Sequence, residues 1–236
     1  MSSPAGTERK PKLAEVVAQQ IEREIIESEW PVGRVLGSEA TLAASYGVSR
    51  AVMREATRIL EHHLVVAPRR GTGGGVVVAR PSMEAVLPPL ALFLDYEGVS
   101  PSQLFESRCI IELAAVELAA QRISVSGRRR LQEALVAEER EMTDPHRYLV
   151  SHALHVLIAD LSGNPTLRLF VAALTQLSSA HARERFKAVT RPRAVEVGGE
   201  IATAHRRIVD AVVKGDAALA RRRMLSHLEA ITPWLT

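Results

Sequence analysis

Three histidines define the chemistry this chain could perform. His205 lies in the stripe Ile201, His205, Ile208, Val212, and His227 in the stripe Met224, His227, Leu228, Ile231; both have the spacing of an apolar helix face. Gly215-Asp216 marks a tight turn between those two helices. His205 stands ten residues before Gly215, and His227 eleven after Asp216. At about 1.5 Å per residue both lie roughly 15 Å from the turn, so an antiparallel pair brings them to one level. His155, beside Leu154 and Ile158, adds an imidazole from a third helix. One inward histidine is more often a satisfied core residue than a ligand. Three from three helices at compatible depth suit a divalent metal, zinc or nickel-like, because neutral imidazole is a good nitrogen donor.

Arg108 is the second anomaly. It shares a stripe with Leu104, Ile111, Ala115 and Leu118, so its guanidinium points inward. A buried cation needs a partner. Glu112, one turn on, is a local candidate; the alternative is an anionic ligand clamped by the two-pronged guanidinium.

The elements that must hold these groups are helices. Apolar residues make up 47% of the chain but aromatics only 4%, so Leu, Val, Ile and Ala must fill the core. Ser100-Pro101-Ser102-Gln103 is a helix start, with a Ser cap, Pro at the first position and Gln three residues after the cap. That helix is expected to run to about Ile123. Others are expected from Ser126 to near Met142, from Asp144-Pro145 to Leu161, and from Asn164-Pro165 to Lys187. The last two run from about Val195 to Lys214 and from Gly215-Asp216 to near Pro233. Residues 91–236 therefore read as an all-helical bundle.

The first third reads differently. Helices are expected from Lys12 to about Glu29, with apolar positions Leu13, Val16, Val17, Ile21 and Ile25, then from a Ser38 cap to Tyr46 and from a Ser49 cap to His63. The period then changes. Leu64-Val65-Val66 and Gly75-Val76-Val77-Val78 read as two strands around a glycine-rich loop containing Arg69, Arg70 and Gly71. Three helices followed by a β-hairpin is the winged helix-turn-helix order. The fold class is thus mainly α, with residues 1–10 a disordered tail, 11–80 the winged unit and 81–90 a linker.

In a helix-turn-helix a short helix braces a second one in the major groove. Leu42, Ala43, Val48, Val52 and Ala56 can hold the two together, while Ser49, Arg50 and Arg54 open the second helix on its exposed side. Arg is the side chain best shaped for guanine, and a helix N-terminus suits a phosphate. Arg70 on the wing could reach an adjacent backbone. Between Ser49 and Arg80, Arg50, Arg54, Arg58, Arg69, Arg70 and Arg80 oppose only Glu55 and Glu61, a local basic surplus that suits DNA.

The run Gly33, Ser38-Glu39, Leu42-Ala43, Gly47-Val48-Ser49-Arg50, Arg54-Glu55-Ala56, Arg58 and Leu60 resembles the DNA-binding domain of the GntR superfamily, over about residues 12–80. The resemblance implies DNA contacts at Ser49, Arg50 and Arg54, with Arg70 and Gly71 at the wing tip. Ala40, Met53 and His63 depart from the family pattern. Residues 90–232 resemble the FCD ligand-binding domain of the FadR branch, through Arg108 to Glu112, Leu154-His155 with Gly163-Asn164, and His205 and His227 about Gly215-Asp216. Metal-containing members use an Asp, a His four residues later and two further His. His155, His205 and His227 match the histidines, and Ser151 stands at the Asp position. With the carboxylate gone, water or an effector carboxylate would complete the metal, which sets Ser151 beside Arg108 as a candidate effector contact. His152 is adjacent, but neighbouring helix positions project about 100° apart. The resemblance also implies a small organic acid as effector.

The expected function is a transcription regulator, by default a repressor, acting as a homodimer on double-stranded operator DNA, because such readers usually bind two-fold sites. The alternative is a metal-dependent enzyme using His155, His205 and His227. A hydrolase would want a nearby carboxylate base; the His155 segment offers only Asp160, on another face, and an enzyme gives no reason for the wing. The polar N-terminus and single Cys109 fit a reducing, cytoplasmic setting without a membrane span.

Overall fold

The computed structural model describes residues 11–71, 73–141 and 152–235. They form two units, Met1–Val86 and Leu87–Thr236. In the first, α1 (Leu13–Glu27), α2 (Glu39–Ser45) and α3 (Arg50–His62) are joined by β1 (Val35–Gly37), β2 (Val66–Arg69) and β3 (Gly75–Val78). The Ser38 and Ser49 hydroxyls cap α2 and α3, as the sequence implies. Helix α1 packs on α3. Its buried face is Ala14, Val17, Ala18, Ile21 and Ile25, while Leu13 and Val16 are exposed. The stripe is therefore turned by one step from the expected one. Two alanines let α1 approach Met53, Ala56 and Leu60, none of which is accessible.

The sheet is antiparallel in the order β1-β3-β2. Strand β1 was not expected; three residues are too few to show a period. Strand β2 begins at Val66 rather than Leu64, because Leu64 turns the chain with φ 62°. Pro68, which cannot donate to a ladder, is tolerated because β2 lies at the edge. The Trp30 indole N–H donates to Ala79 O at 2.8 Å, tying the end of α1 to the end of β3.

Helix α4 (Met83–Tyr96) occupies much of the stretch expected to be a linker over 81–90. Pro88 and Pro89 each remove an N–H, but Ala85, Leu90, Ala91 and Leu92 around them are strong helix formers. None of its residues is buried.

The second unit contains α5 (Pro101–Arg122), α6 (Val125–Glu141), α7 (Ala153–Leu161), α8 (Pro165–Lys187), α9 (Arg191–Lys214) and α10 (Ala217–Leu235). Ser100 and Gln103 form the capping box at the start of α5. Helices α7, α8, α9 and α10 all pack on α5, which makes it the central element. Gly215 ends α9 with φ 75° and sets α10 against α9. Helix α10 ends at Leu235, two residues past Pro233, near which its end is expected. The helix start at Asp144-Pro145, Ser151 and residues 1–10 lie outside the described residues.

Gly75 carries φ 142°, and a Cβ there would lie 2.4 Å from Gly37 O on β1. Gly75→Ala is therefore expected to cost the winged unit at least about 2 kcal/mol, through left-handed strain plus the clash. Urea unfolding followed by Trp30 fluorescence in a Trp234→Phe background measures it; an unchanged midpoint would show that β1 and β3 are not held this closely.

Candidate functional site

Helix α3 opens at Ser49, whose hydroxyl accepts the Val52 N–H at 3.3 Å and keeps its own hydrogen for a further acceptor. Arg50, Arg54 and Arg58 are exposed along the helix, and Arg70 and Gly71 are exposed in the loop between β2 and β3. Arg54 Nε lies 3.5 Å from Glu39 Oε2 with both side chains open to solvent. Such an exposed pair is worth little, so it costs Arg54 little to leave Glu39. Arg69, exposed at the end of β2, donates to Gly73 O at 2.9 Å and braces the wing.

The second unit brings His155 of α7, His205 of α9 and His227 of α10 together, all buried. One ring nitrogen from each lies within 4.8 Å of the others. His205 Nε2 and His227 Nε2 are 3.2 Å apart. Tetrahedral zinc, with bonds of about 2.1 Å, spaces its ligands about 3.4 Å apart, so this pair already fits. The expected level match across the Gly215 turn is met.

Two carboxylates set the rings. His205 Nδ1–H donates to Glu138 Oε1 at 2.6 Å, and His155 Nδ1–H donates to Glu112 Oε2. With the proton held on Nδ1, each ring turns an Nε2 lone pair toward the cluster, the arrangement in which metal-binding histidines are held by carboxylates. The 3.2 Å contact is then either a hydrogen bond from His227 Nε2–H or two lone pairs facing a shared cation. The donor set, the spacing and the carboxylate supports fit a divalent metal.

Arg108 is wholly buried. Its Nε donates to Glu112 Oε1 at 2.6 Å, so Glu112 does answer the cation locally, but only in part. Among the described residues both terminal nitrogens, Nη1 and Nη2, are buried without a hydrogen-bond partner. Phe105 lies beneath the guanidinium, 5.7 Å from its carbon. Burial works to raise the Glu112 carboxyl, yet His155 and Arg108 together hold it well below the usual carboxylate range.

Glu138 and His152 were not among the expected site residues. Glu138 follows Leu131 and Leu135 at i+7 and i+3 on the inward stripe of α6, the same anomaly that marks Arg108. His152 precedes α7 instead of lying within it, so the 100° argument against it does not apply. Its Nε2 is hydrogen-bonded to Ser179 Oγ of α8. Cys109 packs at the edge of the core, and burial pushes its thiol up to about 11, so it is inert.

Residues 13–77 match bacterial regulatory proteins of the gntR family, and residues 103–230 match the FCD domain. The chain belongs to the GntR family. A relative from Escherichia coli (strain K12), named for regulation of the L-lactate dehydrogenase operon, is 29% identical over 93% of this chain and 85% of its own length. The transcriptional repressor NanR of Cronobacter sakazakii is 28% identical over 93% of this chain and 84% of its own. A solved GntR of Streptococcus agalactiae superimposes with a TM-score of 0.69 at 25% identity, covering 92% of this chain and 98% of that one. GntR proteins with this domain are transcription regulators, which sets the enzyme alternative aside. Among the described residues no helix is long and apolar enough to cross a membrane.

Burial, aided by Arg108 at His152 and by His205 at His227, holds both histidines well below their ordinary 6.5; burial also lowers His205, against the pull of Glu138. In unfolded chain these rings take up protons below pH 6.5, whereas in the folded, metal-free protein they stay neutral. Stability is therefore expected to fall with acid from about pH 6.5, by about 1.4 kcal/mol per pH unit for each such histidine until its folded pKa is reached. Denaturation midpoints of chelator-treated protein at pH 7.5 and 5.5 test this; equal midpoints would mean the rings are not buried neutral.

Proposed function

We propose that this GntR regulator is a homodimeric, cytoplasmic repressor that releases its operator when a small organic acid binds the helical unit. Residues 11–80 act as the DNA reader and 91–236 as the sensor. Helix α3 enters the major groove with Ser49, Arg50 and Arg54, and the wing sets Arg70 and Gly71 on the flanking backbone. His155, His205 and His227 hold a divalent metal, zinc or nickel-like. When bound, the metal supplies a Lewis-acidic point for a carboxylate oxygen. Arg108 takes the effector's anionic group, and Ser151 is kept as a candidate contact from the resemblance.

The observation that carries this reading is the pair of terminal nitrogens on the buried Arg108 that no described residue meets. A buried unmet donor costs about 1–3 kcal/mol, and more when charged, so a bidentate anion that answers both gains what folding leaves unpaid. The relative named for an L-lactate dehydrogenase operon supports an organic acid, and the repressor NanR supports repression. Homodimerisation is supported by α4, where Leu92, Phe93 and Tyr96 are exposed and offer apolar surface to a second copy.

Arg54→Ala is expected to weaken operator binding about 10- to 100-fold, the worth of one good base contact, with effector affinity unchanged. His205→Ala should do the reverse, reducing metal content and effector response while leaving bare operator binding intact. Gel-shift titrations with metal analysis read both; folded variants that lose both activities together would overturn the division.

A thermal-shift screen of small carboxylates, with and without zinc or nickel, tests the ligand class directly. A ligand present at about a hundred times its Kd stabilises by about 2.7 kcal/mol. Arg108→Lys keeps the charge but loses the fork, and is expected to erase most of that rise. A full rise in the variant would remove Arg108 from the effector site.

A further inference from the structure

We infer that Glu138 is a positioning residue for the metal, and that through it α6, which contributes none of the three histidines, becomes part of the metal-responsive unit. The inference rests on the proposed reading of the histidine cluster as a metal site.

Glu138 Oε1 accepts from His205 Nδ1 at 2.6 Å, and both side chains are nearly inaccessible, at 11% and 4%. A buried carboxylate must be answered, and the imidazole N–H that answers it is the one that decides which nitrogen of His205 faces the cluster. Were that proton on Nε2, His205 would present a donor to His227 at 3.2 Å and could not ligate. Glu112 does the same for His155 but is shared with Arg108. Glu138 has no such second cation at hydrogen-bond distance among the described contacts, which makes its carboxylate available to His205.

The consequence reaches beyond one ring. Helix α6 packs on α7 and α9, the helices of His155 and His205. Among the described residues its hydrogen bond to the centre is that of Glu138, three residues before its end at Glu141. A cation that fixes His205 Nε2 strengthens the Nδ1–H···carboxylate bond on the opposite side of the ring, since ring polarisation makes Nδ1–H a better donor. Metal loading should therefore steady the last turns of α6 through this bond.

The test compares full-length protein with Glu138→Ala and Glu138→Gln. Zinc dissociation constants come from chelator competition at fixed pH, and backbone hydrogen exchange is followed over residues 125–141 with and without zinc. Glu138→Ala is expected to bind zinc about 10- to 100-fold more weakly and to lose the zinc-induced slowing of exchange in α6, while α9 and α10 still slow at saturating metal. Glu138→Gln, which can still accept from Nδ1–H without the charge, should recover part of the affinity. Parent affinity in both variants, with the metal-free melting point alone lowered, would overturn the inference and leave Glu138 a packing residue. Failure of the parent chain itself to bind zinc, cobalt or nickel would instead overturn the metal reading on which it rests.

Discussion

The helical unit depends on how a full positive charge is kept inside a core built of Leu, Val and Ala. Arg108 is inaccessible, and an isolated guanidinium in such a place is too costly to persist. Glu112 makes it possible by offering one oxygen to Arg108 and the other to His155. That three-residue chain crosses from α5 to α7 and leaves the forked end of the arginine without a partner among the described residues. A fold selected only for stability would replace the chain with leucines. An anion meeting the open nitrogens, as proposed, would offset that cost.

The winged unit follows the opposite logic. Its arginines are kept out of the core, and its interior is closed by alanine-lined contact between α1 and α3 and by a short sheet. Ser49 caps α3 with a hydroxyl that remains able to donate to a further acceptor. The two units thus treat charge differently: one displays it on a rigid helix, the other buries it on a central one.

Much of this was legible in the sequence because it rests on local chemistry. Ser38, Ser49 and Ser100 mark helix starts by the donors they satisfy, and Gly215 marks an end by its left-handed backbone. The meeting of His205 and His227 needed only the helical rise and a tight turn between them. What escaped were features fixed by tertiary contact. Strand β1 is three residues paired to β3, with no period to show. Helix α4 runs through two prolines that read as a break. Leu13 and Val16 looked like core, but the alanines beside them let two helices come closer and took their place. Glu138 was legible in principle, as an acid on an apolar stripe, and became meaningful only once His205 lay against it.

The two-sided use of Glu112 carries a thermodynamic implication. Because one carboxylate orients both the Arg108 guanidinium and the His155 imidazole, an acid at the first and a metal at the second, as proposed, would each alter the electrostatic field felt by the other. Whatever factor an acid ligand applies to the grip on a metal ion, the ion must apply to the grip on the acid. A cell's supply of free divalent ions would then tune the acid concentration at which transcription responds, with no contact between metal and DNA.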